Sequence, residues 1–263
     1  MDINLQSYRA VVCGSTQGIG LASAQMLASL GASVILFARN EAKMQQIVSE
    51  LSTQNGQKHT YLCADFSKVA AVEKALQDFL AKDTAPVHIL INNTGGPAGG
   101  PIAEAPLSAF SDAFEKHVLC NQAIVQALLP RMQQAAYGRI VNIISTSVKA
   151  PINGLGVSNT IRAAVANWAK TLANEVAHWG ITVNNVLPGY TETQRLTSII
   201  YNKAQQQHLD TAQVADSMKA GVPMQRFARA EEIASAVAFL CTPAAAYING
   251  INLPVDGGRT DCL

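Results

Sequence analysis

The stretch Cys13-Gly14-Ser15-Thr16-Gln17-Gly18-Ile19-Gly20 decides how this chain reads. It follows the short apolar run Ala10–Cys13 and opens the helical pattern Leu21–Leu30. Glycines between a strand and a helix let the backbone turn tightly, approach a pyrophosphate and pack the helix close to the sheet. The helix N-terminus then offers free N–H groups and a positive dipole end to phosphate. Gly14, Ser15, Gln17, Gly18, Ile19 and Gly20 are therefore read as a dinucleotide-binding turn, in the strand–turn–helix context that such a reading requires.

Outward from this turn, short β-rich apolar runs alternate with longer helical patterns. The further strands are read at Ser33–Phe37, Thr60–Cys63, His88–Ile91, Arg139–Ile143, Thr182–Val186 and Asn252–Val255. Apolar spacings of three and four mark helices over Glu41–Leu51, Val69–Leu80, Phe110–Met132, Ile161–Ala177 and Glu231–Leu240. Strand, helix, strand without hairpins predicts parallel pairing through right-handed crossovers. Strands apolar on both faces predict helices on both sides of the sheet. The expected fold is a single α/β domain over residues 1–263, a Rossmann-type doubly wound parallel sheet of about seven strands. The polar, Gln-rich stretch Leu196–Pro223 interrupts the rhythm, and residues 194–223 are expected to form a helical lid over a substrate pocket.

Composition narrows the function. The 263 residues are 49% hydrophobic and 14% charged, enough for one large buried core. A net charge of +1 gives no electrostatic reason to expect nucleic acid or an anionic membrane as partner. The five cysteines, Cys13, Cys63, Cys120, Cys241 and Cys262, fall at no metal-ligand spacing, so no metal site is expected. They read as reduced thiols of a cytoplasmic protein. No signal peptide and no run of 18 apolar residues is evident.

The glycine spacing, Gly-x-x-x-Gly-x-Gly, differs from the common dinucleotide fingerprint and resembles that of the short-chain dehydrogenase/reductase (SDR) family. Asn92-Asn93-Thr94-Gly95 is similar to that family's Asn-Asn-Ala-Gly after its fourth strand. Gly138–Ser145 resembles its fifth strand, Val183–Thr193 its sixth strand and Pro-Gly turn, and Val255-Asp256-Gly257-Gly258 its C-terminal strand end. The resemblance is closest to the 3-oxoacyl carrier-protein reductases. It implies that Asp65 and Phe66 meet the adenine end of the cofactor, and that Asn92, Gly95, Pro188 and Gly189 line its cleft. It also implies that Thr193 holds the carboxamide. At the end of the second strand, Phe37-Ala38-Arg39-Asn40 lacks the acid that would bind ribose hydroxyls and offers Arg39, whose guanidinium suits a 2′-phosphate. NADP(H) is therefore preferred over NAD(H).

The reactive centre departs from the family. Its members use a Ser, a Tyr and a Lys, with an Asn on the long helix supporting a water relay. Ser145 matches the Ser, but thirteen residues further on stands Ser158 where Tyr is expected, and four beyond it Arg162 replaces the Lys. Counting back from Leu128-Leu129-Pro130, His117 takes the Asn place, with Asn121 one turn further on. A serine hydroxyl cannot replace a phenol as proton donor, and an arginine stays protonated, although it can still hydrogen-bond the ribose. His117, with an ordinary pKa of about 6.5, is the first candidate to rescue proton transfer. Tyr190, in the turn beside the expected nicotinamide, is the second. Lys149 is expected to face solvent, and Arg195 is a candidate for an acidic substrate group.

Ala163, Ala164, Ala166, Ala169 and Ala173 suggest close approach of a second subunit. The resemblance implies a four-helix dimer interface, a second interface at the Gly250–Leu263 tail, and a homotetramer built on such homodimers. Three functional readings stand at this point: an NADP(H)-dependent oxidoreductase for a small-molecule carbonyl or alcohol, a nucleotide-binding pseudoenzyme, and a lyase or isomerase that uses bound cofactor.

Overall fold

Successive side chains along each central strand point to opposite faces, both buried, and that alternation builds the domain. In the computed structural model, which describes residues 1–262, seven strands form one parallel sheet. They are β1 (Arg9–Cys13), β2 (Ser33–Ala38), β3 (Thr60–Cys63), β4 (Ile89–Asn92), β5 (Gly138–Ile143), β6 (Ile181–Pro188) and β7 (Asn252–Val255), in spatial order β3-β2-β1-β4-β5-β6-β7. Val12, Leu36, Ile89 and Ile91 point to one face and Val11, Ile35, Phe37 and Leu90 to the other. Each is 1% exposed or less, so each contributes about 1.5–3 kcal/mol through burial.

Helices cover both faces. The first is closed by α1 (Gly18–Ser29) and α9 (Ala230–Leu240), which supply Ala24, Leu27 and Ala28, and Ile233 and Val237. The small alanines let these helices lie close to each other and to the strands. The second face carries α3 (Val69–Lys82), α5 (Cys120–Gln134) and α6 (Gly156–Val176), through Val72 and Leu76, Ile124 and Leu128, and Ala169 and Ala173. The remaining helices are α2 (Glu41–Glu50), α4 (Leu107–Phe114), α7 (Gln194–Gln207) and α8 (Thr211–Ala220).

All seven predicted strands are present, with ends shifted by a residue or two. The long helix expected over Phe110–Met132 is not continuous: a π-helical turn, Glu115–Leu119, separates α4 from α5. The interrupting stretch forms α7 and α8, which share a small core of Leu196, Ala204, Val214, Met218 and Phe227. Of the five alanines expected at a subunit contact, Ala166, Ala169 and Ala173 are spent inside the chain's own core, and only Ala163 is exposed. Of the tail expected at the second interface, Leu263 lies outside the described residues.

An asparagine ladder crosses half of the sheet. Asn92 Nδ2 donates to Asn142 Oδ1 (2.8 Å), Asn142 Nδ2 to Asn185 Oδ1 (2.9 Å) and Asn185 Nδ2 to Asn252 Oδ1 (2.8 Å). The parallel register places these residues side by side on β4, β5, β6 and β7. Each amide satisfies the next at depth, where an unpaired polar group costs about 1–3 kcal/mol. Asn142→Leu strands the Asn92 amide donor and the Asn185 carbonyl acceptor. We expect that variant to lose about 2–4 kcal/mol in urea denaturation.

Candidate active site

The glycine turn lies at the C-terminal end of β1, beside the point where strand order reverses between β1 and β4. In open α/β sheets that is where ligands bind. Gly14 has φ +58°, and a Cβ on it would stand 2.5 Å from the Asn93 carbonyl oxygen. A Cβ on Gly20 would meet the Gly14 carbonyl at 2.2 Å. Only hydrogen fits at either position. The N-terminus of α1 has no side-chain cap from Gln17 and no acid in its first turn, so its amides remain available to an anion. A Cβ on Gly18 would lie 3.1 Å from Thr193 Cγ2, which brings the start of α7 over the turn. Arg39 is exposed at the end of β2. These features fit a dinucleotide phosphate at the turn.

Several expected cofactor residues have other duties. Ser15 is fully buried, and its Oγ accepts from the Phe37 amide, so its side chain braces the turn from below. The Phe66 ring packs against Phe37 in the core, and its carbonyl accepts from the Cys120 thiol. Asn92 belongs to the ladder, and Asn93 is the residue that touches the turn, its Nδ2 donating to the Cys13 and Gly14 carbonyls. Ile19 packs half-buried against the core. Asp65 accepts from the Ser67 amide, and that bond, ahead of the nearby charge of Arg39, lowers its pKa. The amide of Gly189, after Pro188, donates to the Val255 carbonyl, and a Cβ there would sit 2.7 Å from Asp256, so this turn locks the tail to β6. Thr193 Oγ1 caps α7 at the Leu196 amide. Gly95 has open space around it.

The π-helical turn holds His117, in the element type that often marks functional positions. His117 is 2% exposed. Its Nδ1 lies 2.7 Å from Thr94 Oγ1, and its Nε2 has no partner. Burial first, then the positive charges of Arg162 and Lys116, hold its pKa down to about 2. This corrects the expectation of a neutral-range acid: the ring is neutral imidazole at every working pH. Thr94, which stands in the family's Ala place, was not expected to matter. The signal was a hydroxyl where the motif has a methyl.

Ser158 and Arg162 lie one turn apart on α6, both buried. Arg162 Nη1 donates to the Ile143 carbonyl at 3.0 Å, at the end of β5. Burial, and then the charge of Arg195, lower its pKa to about 10, so it remains a cation. Ser145 is half-buried after β5, and its Oγ accepts from the Ser147 amide at 3.1 Å, which leaves its hydroxyl hydrogen to donate elsewhere. Arg195 donates to the Pro97 carbonyl at 2.6 Å. The structure thus brings His117, Thr94, Arg162 and Arg195 around the Gly95–Pro97 loop.

Tyr190 is placed differently. Its phenol accepts from Arg259 Nη2 at 3.1 Å, the guanidinium stacks on its ring, and the ring packs edge-on to Phe227. It lies at the junction of lid helices and tail, and its own hydroxyl hydrogen remains free to donate. Lys149 is half-buried rather than solvent-facing. Among the described residues, no group of three or more His, Cys, Asp or Glu is arranged to hold a metal, and no helix is long and apolar enough to cross a membrane.

Comparison with known proteins agrees with this geometry. Residues 14–260 match the model of a family described as enoyl-(acyl carrier protein) reductase. The chain is 35% identical over 258 residues to a 3-oxoacyl-[acyl-carrier-protein] reductase of Vibrio cholerae, covering 97% of this chain and 98% of the relative. It is 30% identical to the enzyme of that name from Aquifex aeolicus, over 98% of this chain and 99% of the other. The solved structure of L-sorbose reductase from Gluconobacter frateurii, complexed with NADPH and L-sorbose, superposes with a TM-score of 0.92 at 28% identity over 100% of both chains. An actinorhodin polyketide ketoreductase with NADPH gives 0.88 at 31%, over 97% of this chain and 98% of that one. Sequence and architecture agree along almost the whole length: the chain belongs to the short-chain dehydrogenase/reductase family.

Proposed function

We propose that the chain is an NADP(H)-dependent oxidoreductase acting on a small-molecule carbonyl or alcohol, 3-oxoacyl reductase-like in substrate shape but with its own acid–base set. The observation that carries this reading is the uncapped N-terminus of α1 at a turn too tight for any side chain, with Arg39 and no carboxylate at the end of β2. The turn and the α1 amides would hold the diphosphate, and Arg39 the 2′-phosphate. NADPH-bound relatives of the same fold support the cofactor choice. When bound, the cofactor supplies a hydride.

The chain's own residues supply the rest. Ser145 donates its free hydroxyl hydrogen to the substrate oxygen. The cationic Arg162 sits in a desolvated position, where it stabilises negative charge developing on that oxygen. None of Ser145, Ser158, Arg162 and His117 releases a proton near neutrality, so the proton comes from water. Residues 194–223 serve as the lid that limits its access. One observation favours a second reading, nucleotide binding without turnover: Ser158 and Arg162, one turn apart on α6, stand where the family carries its proton-transferring Tyr and Lys.

Matched titrations of NADPH and NADH, followed by thermal unfolding, test the cofactor. NADPH at 100 times its dissociation constant should add about 2.7 kcal/mol. NADH should add less, and Arg39→Asp should reverse the order. Equal stabilisation by NADH in the unmodified protein would refute the preference.

Consumption of NADPH at 340 nm over 3-oxoacyl substrates tests the chemistry. We expect a turnover well below the about 10 per second of a typical enzyme, with no inflection near pH 6.5, because His117 never titrates there. Ser158→Tyr combined with Arg162→Lys should raise turnover on the order of 100-fold. An unmodified rate of ordinary size would mean that another side chain donates the proton.

The assembly is proposed as a homotetramer of homodimers. Exposed Phe114 and Leu119 beside α5, rather than the alanines of α6, give the helical face its apolar surface. Leu119→Glu should then convert the sedimenting species to a smaller one, while an unchanged mass would place the contact elsewhere.

A further inference from the structure

Arg162 is a cation buried to 8% exposure, and among the described residues no carboxylate stands within ion-pair distance of it. A buried charge without a counter-charge costs several kcal/mol, so proteins pair it or supply a ligand. Its neighbour is a second cation. A Cβ on Gly96 would lie 3.6 Å from Arg162 Nη2 and 3.7 Å from Arg195 Nη2, so both guanidinium ends converge on one point. The two like charges are held there by neutral acceptors alone, the Ile143 and Pro97 carbonyls. Beside them, the buried Nε2 of His117 has no partner.

The geometry points to an anion site on the substrate side of the cleft, in which Arg162 and Arg195 together grip a carboxylate of the substrate. The inference rests on the oxidoreductase reading and narrows its substrate class to anionic carbonyl compounds or alcohols. Two guanidinium groups converging from different elements match the two oxygens of a carboxylate, and charge-assisted bonds of this kind are the strong ones. The nucleotide diphosphate is the other anion that could come here. It is already provided for at β1, by α1 amides that carry no cap. The arginine pair, by contrast, is anchored beyond β4 and at the end of β5, on the side that also carries Ser145. Arg195 opens α7, so an anion bound between the pair would tie the lid helices to the Gly95–Pro97 loop and to α6.

Formate, the smallest carboxylate, tests the pair without regard to pocket shape, and formamide is its neutral counterpart. Both are titrated against thermal unfolding at ionic strength fixed with chloride, with the protein free and saturated with NADP. We expect formate to bind the NADP-saturated protein at least about 10-fold more tightly than formamide. Arg195→Gln, at an exposed position that tolerates change, should abolish the difference while leaving the affinity for NADP within about twofold. Arg162→Lys should weaken formate by a similar factor. Formate acting no differently from formamide overturns the site. Formate competing with NADP, or Arg195→Gln weakening NADP rather than formate, also overturns it, by assigning the pair to the cofactor. Should NADP itself fail to stabilise the protein, the oxidoreductase reading falls, while the formate arm on the free protein still judges the arginine pair.

Discussion

The turn between β1 and α1 closes because nothing stands between the Gly14 carbonyl and the α-carbon of Gly20. That single contact sets the approach of α1 to the sheet. It also sets the packing of α1 against α9 through facing alanines, and the direction in which the free amides of α1 point. Asn93 fastens the same turn to the end of β4 by bonds to two of its carbonyls. A side chain at Gly20 would push the helix outward and spoil both the core and the phosphate site. Binding and folding here depend on one steric constraint, so the turn is legible in sequence while much of the site is not.

Desolvation governs the reactive region. Burial of Arg162 costs free energy whichever residue faces it, and the chain places Arg195 and a neutral imidazole nearby rather than an acid. Burial first, and then the positive charges of Arg162 and Lys116, keep a proton off His117. A histidine in that field cannot act as the acid that its ordinary pKa suggests, and it can instead accept a hydrogen bond or donate one without changing charge. The same field favours any negative charge brought in by a bound molecule, since in a low-dielectric site fixed dipoles and cations act without the cost of reorganising water.

What the sequence revealed follows from what periodicity and glycine spacing encode. The strands β1, β2 and β4 are apolar on both faces and short, and that pattern has no other stable use than a sheet buried on both sides. Side-chain duty is different, because it depends on neighbours far away in the chain. Asn92 reads as a cleft residue by position, yet its amide is drawn to Asn142 by strand register. Ser15 is claimed by the Phe37 amide of the adjoining strand, and Tyr190 by Arg259 from the tail. The π-helical turn escaped a reading based on a 3.6-residue period, since one added residue leaves the apolar spacing on either side intact. The pKa of His117 could not be read from its identity, because it is a property of Arg162 and of burial.

The departures at the reactive centre interlock. Thr94 carries the hydroxyl that meets His117 Nδ1, where the family motif has a methyl that could not. His117 remains neutral because it is buried and because Arg162 is beside it, and Arg162 is held by a strand-end carbonyl that any residue would supply. Arg195 adds the second cation from another element and is itself fixed by the Pro97 carbonyl. A site relaxing after loss of function has no physical reason to keep a buried guanidinium converging on a second one without a counter-charge, because the buried, unpaired cation lowers the stability of the fold. The arrangement is understandable as a site whose missing partner is an anion, bound long enough to repay the cost of holding a buried cation beside a second, exposed one.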